Sequence, residues 1–589
     1  MERASRRSRR GADFQLGIEN RREFLRYAGA ALAGLKAFPL LPANASSGVS
    51  EWNGVVTGQE SAGAGAPAPA KRMRGLMIDA ARLPESPDYY RHVIEFCAEW
   101  ELNTVHFRLT DDQGSALRFT SVPDIVTHPD ALTSDQVKSL VEFANSHGID
   151  VIPEVESFGH TGYITRSPTY VHLLDADPQG SSEFTGVIPI LPETRELFEK
   201  LYREVAAIFP SAYLHAGCDE VNWGGSPQSR AALKSRSRAQ IWAEYLNSLD
   251  RVAEKLEKQL IVWGDFVQHK EPQILPQLNK NIIIMDWNYW DTRVIGFHDA
   301  LIDIEKSGHR GIGAPGLISY RWGPRAGAEQ LRNIDAFTEV YCGADDHGSL
   351  GAILTNWVPT RYIQDSLWDG FAYAAVAFKN GPAVARVSAF RSFVERHYRA
   401  EWNELWAEAF ELIYAAAPAF GEEKDISPVG LHLAMPWSSD AQLTEVLKKR
   451  SRPTHSFTRL RSLLVELEPS VRRNLSDFHA FSLSVECLEL LFWRESTVVE
   501  HTAQKPLEAE ATRLLIQTIA DRDRELSEKL SMDWDKGRSP RSAAKRELIF
   551  ALQPKDQLCY QWYEAAAYSA SLVLHPDRFQ QLLGTASRN

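Results

Sequence analysis

The chain is short of sulfur. Its five cysteines (Cys97, Cys218, Cys342, Cys487 and Cys559) are odd in number and far apart among 589 residues. They supply neither a disulfide framework nor a CxxC metal clasp. Long hydrophobic runs are missing too. No apolar stretch reaches the roughly 20 residues that cross a bilayer, so no stable membrane span is expected. Positive charge is in deficit: the net charge is −12, which excludes the basic footprint of a nucleic-acid binder. The histidines lack metal-ligand spacing, and His215 stands apart from the others, so neither a zinc site nor any other cofactor is expected. What the chain does have is aromatic surface. Sixteen Trp and eighteen Tyr can stack on the apolar faces of sugar rings as well as fill cores. The length predicts two or three domains.

The N-terminus reads as an address. Asn20-Arg21-Arg22-Glu23-Phe24-Leu25 has the form of a twin-arginine export motif. A basic leader precedes it, a weakly apolar stretch from Tyr27 to Leu41 follows, and Ala43-Asn44-Ala45 is an A-x-A cleavage site. Residues 1–45 are therefore expected to be a signal peptide and the product to be periplasmic or extracellular. Residues 46–71, rich in Gly, Ala, Ser and Pro, read as a flexible linker.

From Arg74 onward short apolar runs alternate with helical patterns, which predicts parallel βα units. Strands are expected at Gly75–Asp79, Thr104–Leu109, Asp150–Glu154, Tyr213–Gly217, Leu260–Asp265, Ile282–Asp286, Gly311–Ala314 and Gly351–Thr355. Amphipathic helices are expected between them, at Tyr89–Trp100, Thr133–His147, Glu193–Ile208 and Ala239–Lys258. Eight such units make a (β/α)8 TIM barrel over residues 72–385, whose chemistry belongs at the C-terminal ends of the strands. Residues 386–589 read as an α-helical domain without strand pattern or repeat. Its helices are expected at Phe393–Ala415, Asp440–Lys449, Phe457–Leu467, Val471–Val499, Glu508–Leu530 and Leu558–Leu574.

The strand ends gather acids, an Arg, a His and aromatics on one mouth: Arg82 after the first strand, Asp111 and Asp112 after the second, and Glu154, Glu156 and His160 after the third. Asp219-Glu220 follows the fourth, Trp263 and Asp265 the fifth, Asp286, Trp287 and Tyr289 the sixth, Tyr320 the seventh and Trp357 the eighth. An Asp-Glu dipeptide alone is more often two solvated acids in a loop. At a strand end facing this set, one carboxyl can stay protonated as a general acid while its neighbour stays charged. Glu220 is expected to be partly buried with a raised pKa. His160, with Asp111 or Asp112, is expected to hold it in position.

Retaining glycosidases commonly place their nucleophile on strand seven. Gly311-Ile312-Gly313-Ala314-Pro315-Gly316 offers no carboxylate there. A substrate bearing a 2-acetamido group can supply its own carbonyl oxygen instead, with Glu220 as acid, Asp219 as partner of the acetamide N–H, and an aromatic box around the acetamide. Two rivals remain: a barrel glycosidase with Asp265 or Asp286 as nucleophile, and a non-catalytic sugar-binding barrel.

In motif and order the chain resembles the β-N-acetylhexosaminidases of glycoside hydrolase family 20. Arg74–Arg82, Leu109-Thr110-Asp111-Asp112-Gln113-Gly114, Ile152-Pro153-Glu154, Gly159-His160 and His215–Val221 resemble its successive strand motifs, over Arg74 to Lys379. The resemblance implies exo hydrolysis of N-acetylhexosamine glycans. It makes Asp219 and Glu220 the catalytic pair. It also implies sugar hydroxyl contacts at Arg82, Trp263, Trp287 and Trp357 as pocket tryptophans, and Tyr289 or Tyr320 as the hydroxyl facing the acetamide. Departures are Arg108 for the usual His, Glu156-Ser157-Phe158 for Asp-x-Pro, Pro359 for a Glu after Trp357, and Cys218 for a Gly. The linker also leaves no room for the family's usual leading α/β domain. These departures look more like the hexosaminidase D branch, associated with galacto-configured substrates.

Overall fold

Val105 and Phe107 alternate with His106 and Arg108 along one strand, and all four are buried. A period-2 pattern with both faces buried belongs to a strand walled by helices outside and by a barrel interior inside. The computed structural model describes residues 72–175, 186–289, 291–318, 324–343, 348–416, 454–503, 508–538, 566–567 and 569–574. The leader, the linker, Tyr320, the helix expected at Asp440–Lys449 and most of the one at Leu558–Leu574 lie outside the described residues.

Eight parallel strands close into a barrel: β1 (Met73–Asp79), β2 (Thr104–Arg108), β3 (Asp150–Glu154), β4 (Tyr213–His215), β5 (Gln259–Trp263), β6 (Ile283–Asp286), β7 (Arg310–Gly313) and β8 (Ser349–Asn356). The ring closes where β1 pairs with β8, with Met73 opposite Gly351. A Cβ on Gly351 would lie 2.1 Å from the Met73 carbonyl oxygen, so only glycine lets the two strands meet.

Helices α1 (Pro87–Glu99), α2 (Ser134–Ser146), α3 (Pro192–Ile208), α4 (Arg238–Lys255), α5 (Val294–Lys306), α6 (Ala328–Tyr341) and α7 (Trp368–Asn380) sheathe it. Ser86, Thr133 and Ser237 cap three of them by accepting from backbone N–H groups of the first turn. The segment after β5 breaks the alternation. It forms a π-helical turn over Asp265–Lys270 and a 3-10 turn over Leu275–Gln277, a substitution that places Asp265 and Lys270 at the mouth. A small sheet of Thr110–Asp111, Gly114–Leu117 and Thr127–Leu132, absent from the sequence reading, projects from the end of β2.

The barrel interior is divided. Met73, Met77, Ile261, Ile283, Met285, Ile312 and Ile353 fill one side with apolar chains. β2, β3 and β4 contribute buried His106, Arg108, Glu154 and His215 on the other.

Among the described residues five longer helices follow: α8 (Pro382–His397), α9 (Glu404–Ala416), α10 (Thr454–Leu467), α11 (Leu475–Ala503) and α12 (Ala509–Gly537). Residue 385, the expected domain boundary, falls inside α8. The single helix expected over Phe393–Ala415 is two, because Arg399 takes a left-handed φ of 53° and Asn403 caps a new helix, accepting from Leu405 and Trp406 N–H at 3.0 and 3.2 Å. No described helix is long and apolar enough to cross a membrane.

Candidate active site

β4 delivers the chain into a turn that L-residues resist. Gly217, Cys218 and Glu220 have φ of 66°, 74° and 45°, and each non-glycine residue held there costs about 1–3 kcal/mol. Successive anchors hold it. His215 Nδ1 accepts the Gly217 N–H at 2.9 Å, Glu156 Oε2 the Cys218 N–H at 3.0 Å, and Asp265 Oδ2 the Glu220 N–H at 3.1 Å. A Cβ on residue 217 would lie 1.9 Å from Glu156 Oε2. Gly217→Ala should therefore displace the turn and abolish hydrolysis. Activity assays beside a far-UV spectrum would separate that from unfolding.

The turn presents two carboxyls at different depths: the Asp219 side chain is 9% exposed and that of Glu220 34%. His160, from the loop after β3 and itself at φ 47°, stands behind both. Its Nε2 is 3.3 Å from Glu220 Oε2 and 3.6 Å from Asp219 Oδ2, while Nδ1 is 3.2 Å from Asp112 Oδ2 and 3.6 Å from Asp111 Oδ2. Asp112 also accepts the Gly162 N–H at 2.8 Å, fixing the loop that carries His160.

Two guanidiniums bind the acids below. Arg82 bridges Asp79 (3.0 Å) and Asp111 (3.1 Å). Arg108, fully buried, reaches Asp111, Glu154 (3.4 Å), Glu156 (2.7 Å) and Asp79 (3.6 Å). Both guanidinium carbons lie 5.2 Å from the Trp357 ring centre. Trp357 in turn donates Nε1–H to the Tyr289 hydroxyl at 2.7 Å. Tyr289 stacks on Trp287 at 5.1 Å, and Trp357 sits 5.7 Å from Trp263. Trp263 is 1% exposed and donates to Glu154 at 2.9 Å, so it forms the floor of the box, with Trp287, Tyr289 and Trp357 as walls.

Residues 72–332 match the family model described as "Glycosyl hydrolase family 20, catalytic domain". Over those residues the barrel is similar to the catalytic domain of glycosyl hydrolase family 20. A beta-hexosaminidase of Vibrio furnissii is 28% identical over 257 residues, 37% of this chain and 40% of that protein. The mouse beta-hexosaminidase subunit alpha is 26% identical over 272 residues, 43% and 49%. The chain thus spans less than half the length of these curated relatives. Among solved structures, the exo beta-N-acetylglucosaminidase of Vibrio harveyi aligns over 54% of each chain at 21% identity and a TM-score of 0.42.

The electrostatics of the barrel mouth correct one expectation: the Glu220 carboxyl is lowered, not raised. Burial pushes it up, but the hydrogen bond and charge of His160, with Lys270 and Arg82, outweigh that. Asp219 moves the other way. Burial raises it, His160 and Arg108 only partly offset this, and Glu220 repels it. Glu156 is raised well above the usual range by burial and by Asp219. His160 is desolvated, yet Asp219 and Asp111 hold it well above its ordinary value and keep it cationic.

The sequence reading gave Arg108, Asp79 and Lys270 no part in the site and named Asp265 only at the mouth and as the nucleophile of a rival mechanism. Arg108 carried the clearest signal, a cation on the inward side of a wholly buried strand. Lys270 Nζ lies 2.8 Å from Asp265 Oδ2; it comes from a turn, and no periodicity marks it.

His106, Glu154 and His215 have the composition of a metal clasp, but their carboxylate already meets a cation and an indole N–H. His215 Nδ1 takes a backbone N–H and so carries no proton; burial lowers its pKa to about 3. Glu154 faces His106 Nε2 at 2.8 Å and receives Trp263 and Arg108. Arg108 already supplies the positive charge a metal would bring.

Proposed function

We propose that the chain is an exo-acting β-N-acetylhexosaminidase, hydrolysing terminal GlcNAc or GalNAc by attack of the substrate's own acetamide oxygen. The observation that carries this reading is the Asp219–Glu220 turn: two carboxyls at different depths, side by side, under an aromatic box. Glu220 protonates the glycosidic oxygen as the C1–O bond breaks. The acetamide oxygen bonds to C1, and Asp219 accepts the acetamide N–H. Water then attacks C1 and returns a proton to Glu220, opening the oxazolinium ring with retention.

In the free protein Glu220 is charged beside cationic His160. A bound sugar dries the mouth, and a dry pocket favours the neutral pair, with the proton shifted from His160 Nε2 to Glu220. Substrate binding thus arms the acid.

The protein-nucleophile rival finds little support. Asp265 is buried and bound to Lys270 and the Glu220 N–H. Asp286 is buried and bound to the Tyr341 hydroxyl at 2.9 Å and His269 at 3.3 Å.

Hydrolysis of nitrophenyl β-GlcNAc, β-GalNAc and β-glucoside tests the reading. Activity on acetamido sugars alone supports it. Activity on the glucoside restores the protein nucleophile, and silence on all three favours a binding barrel. Asp219→Asn is expected to cut acetamido-sugar turnover roughly 100-fold or more, as loss of a group aimed at developing charge does. An equal loss on every substrate would remove its proposed role. Pro359 opens a buried 3-10 turn, so no carboxylate stands at that position; this supports tolerance of the galacto epimer and a place near the hexosaminidase D branch. The twin-arginine-like leader supports export, and secreted protein beginning at Ser46 would bear it out.

A further inference from the structure

Where the helical region meets the barrel, His92 of α1, Asp365 of the loop after β8 and Asp477 of α11 converge. One ligand atom from each lies within 4.8 Å of the others. They stand far apart in sequence, which is why no linear spacing reveals them. His92 Nε2 and Asp477 Oδ2 are 3.4 Å apart, close enough for ion pairing but long for an N–H···O bond. That separation suits two ligands of one cation, since tetrahedral bonds of about 2.1 Å put ligand atoms about 3.4 Å apart.

Two buried atoms of the group, His92 Nε2 and Asp365 Oδ1, have no hydrogen-bond partner among the described residues. Each buried unpartnered atom calls for an explanation, and here two belong to one group of three possible ligands. Asp365 is also held at φ 64°, a backbone strain that a carboxylate keeps only for a reason.

The surroundings fit a metal better than a salt bridge. Arg538, the guanidinium of this seam, is bound to Glu85 at 3.0 Å and to the Tyr362 carbonyl at 2.8 Å. Asp477 is braced from behind by His397 Nε2 at 2.9 Å, as carboxylate ligands of metals generally are. The His92 side chain is 34% exposed, which leaves an entry path and room for water. The contrast with His106–Glu154–His215 is one of charge: there the Arg108 guanidinium stands 3.4 Å from the Glu154 carboxylate.

We propose that His92, Asp365 and Asp477 bind one divalent cation of the zinc or manganese class, whose taste for imidazole with carboxylate matches this donor set. The ion joins three elements: the first barrel helix, the loop that begins at Trp357, and the helical region. Its role is structural and does not depend on the hydrolytic reading.

The test uses the full chain, stripped with EDTA, desalted and given Zn2+ or Mn2+ alone. About one equivalent should survive a second desalting by elemental analysis, and the melting temperature should rise on metal addition, because a ligand of the folded state stabilises it. His92→Gln and Asp365→Asn should weaken retention by roughly 10–100-fold or more, since even outer partners of a metal are worth that much. Nitrophenyl hydrolysis should stay at the wild-type level in both, because neither residue touches the site. Wild-type protein that retains no metal and melts unchanged would overturn the proposal. So would variants that retain as much metal as wild type. If Asp477→Asn fails to fold, the wild-type retention and melting results still decide.

Discussion

Glu220→Gln is expected to lower turnover on acetamido sugars by roughly two to four powers of ten, the usual worth of a general acid. The amide is isosteric and can still accept from His160 Nε2, so the turn and the fold should survive; a melting curve close to wild type is part of the prediction. The loss should depend on the leaving group. A nitrophenolate departs almost unaided, so the deficit should be small on nitrophenyl substrates and large on a glycan whose leaving alkoxide needs the proton. Equal deficits on both would mean that Glu220 does not deliver a proton. Azide should not rescue the variant through a covalent glycosyl-enzyme, because the nucleophile belongs to the substrate.

Arg108→Met carries the largest expected effect on stability. Arg108 is the hub for Asp79, Asp111, Glu154 and Glu156, none of them exposed beyond 2%. Breaking a single buried ion pair costs about 3–5 kcal/mol, because the partner charge is left stranded. A typical domain has only about 5–15 kcal/mol to lose. The variant should fail to accumulate as soluble protein. Arg108→His, the residue the family resemblance would place there, should also be destabilised: one imidazole cannot span four carboxylates that have adjusted to a guanidinium. Soluble Arg108→Met with a wild-type melting temperature would show that these acids carry protons rather than charge.

The barrel was legible because its signal is local. β1 through β8 each announce themselves as short apolar runs between helical periods, and the expected strands fall within two residues of the observed ones at nearly every end. The site was legible in composition, because strand ends converge in any closed barrel. Depth and charge were not legible. Whether Glu220 sits above or below its ordinary pKa depends first on His160 and then on Lys270, which arrives from a π-helical turn in place of the fifth barrel helix. That turn lacks the 3.6-residue period that marks a helix. The break between α8 and α9 was missed for a related reason: apolar periodicity runs straight through Tyr398 and Trp402, while the stop is written in the backbone of Arg399 and the cap of Asn403.

The division of the barrel interior bears on how the chain survives its own synthesis. β2, β3 and β4, which carry His106, Arg108, Glu154 and His215 inward, leave the ribosome before β5 to β8, which carry most of the apolar lining; β1 before them brings only Met73 and Met77, and β3 only Ile152. At ordinary elongation rates the first half waits on the order of ten seconds for the second. An apolar inner face left open that long is a sticky sheet. A charged one stays wetted and discourages pairing with another nascent chain. The ion network that later braces the catalytic turn therefore acts first as a solubility device, and substitutions there should reduce yield before they reduce activity.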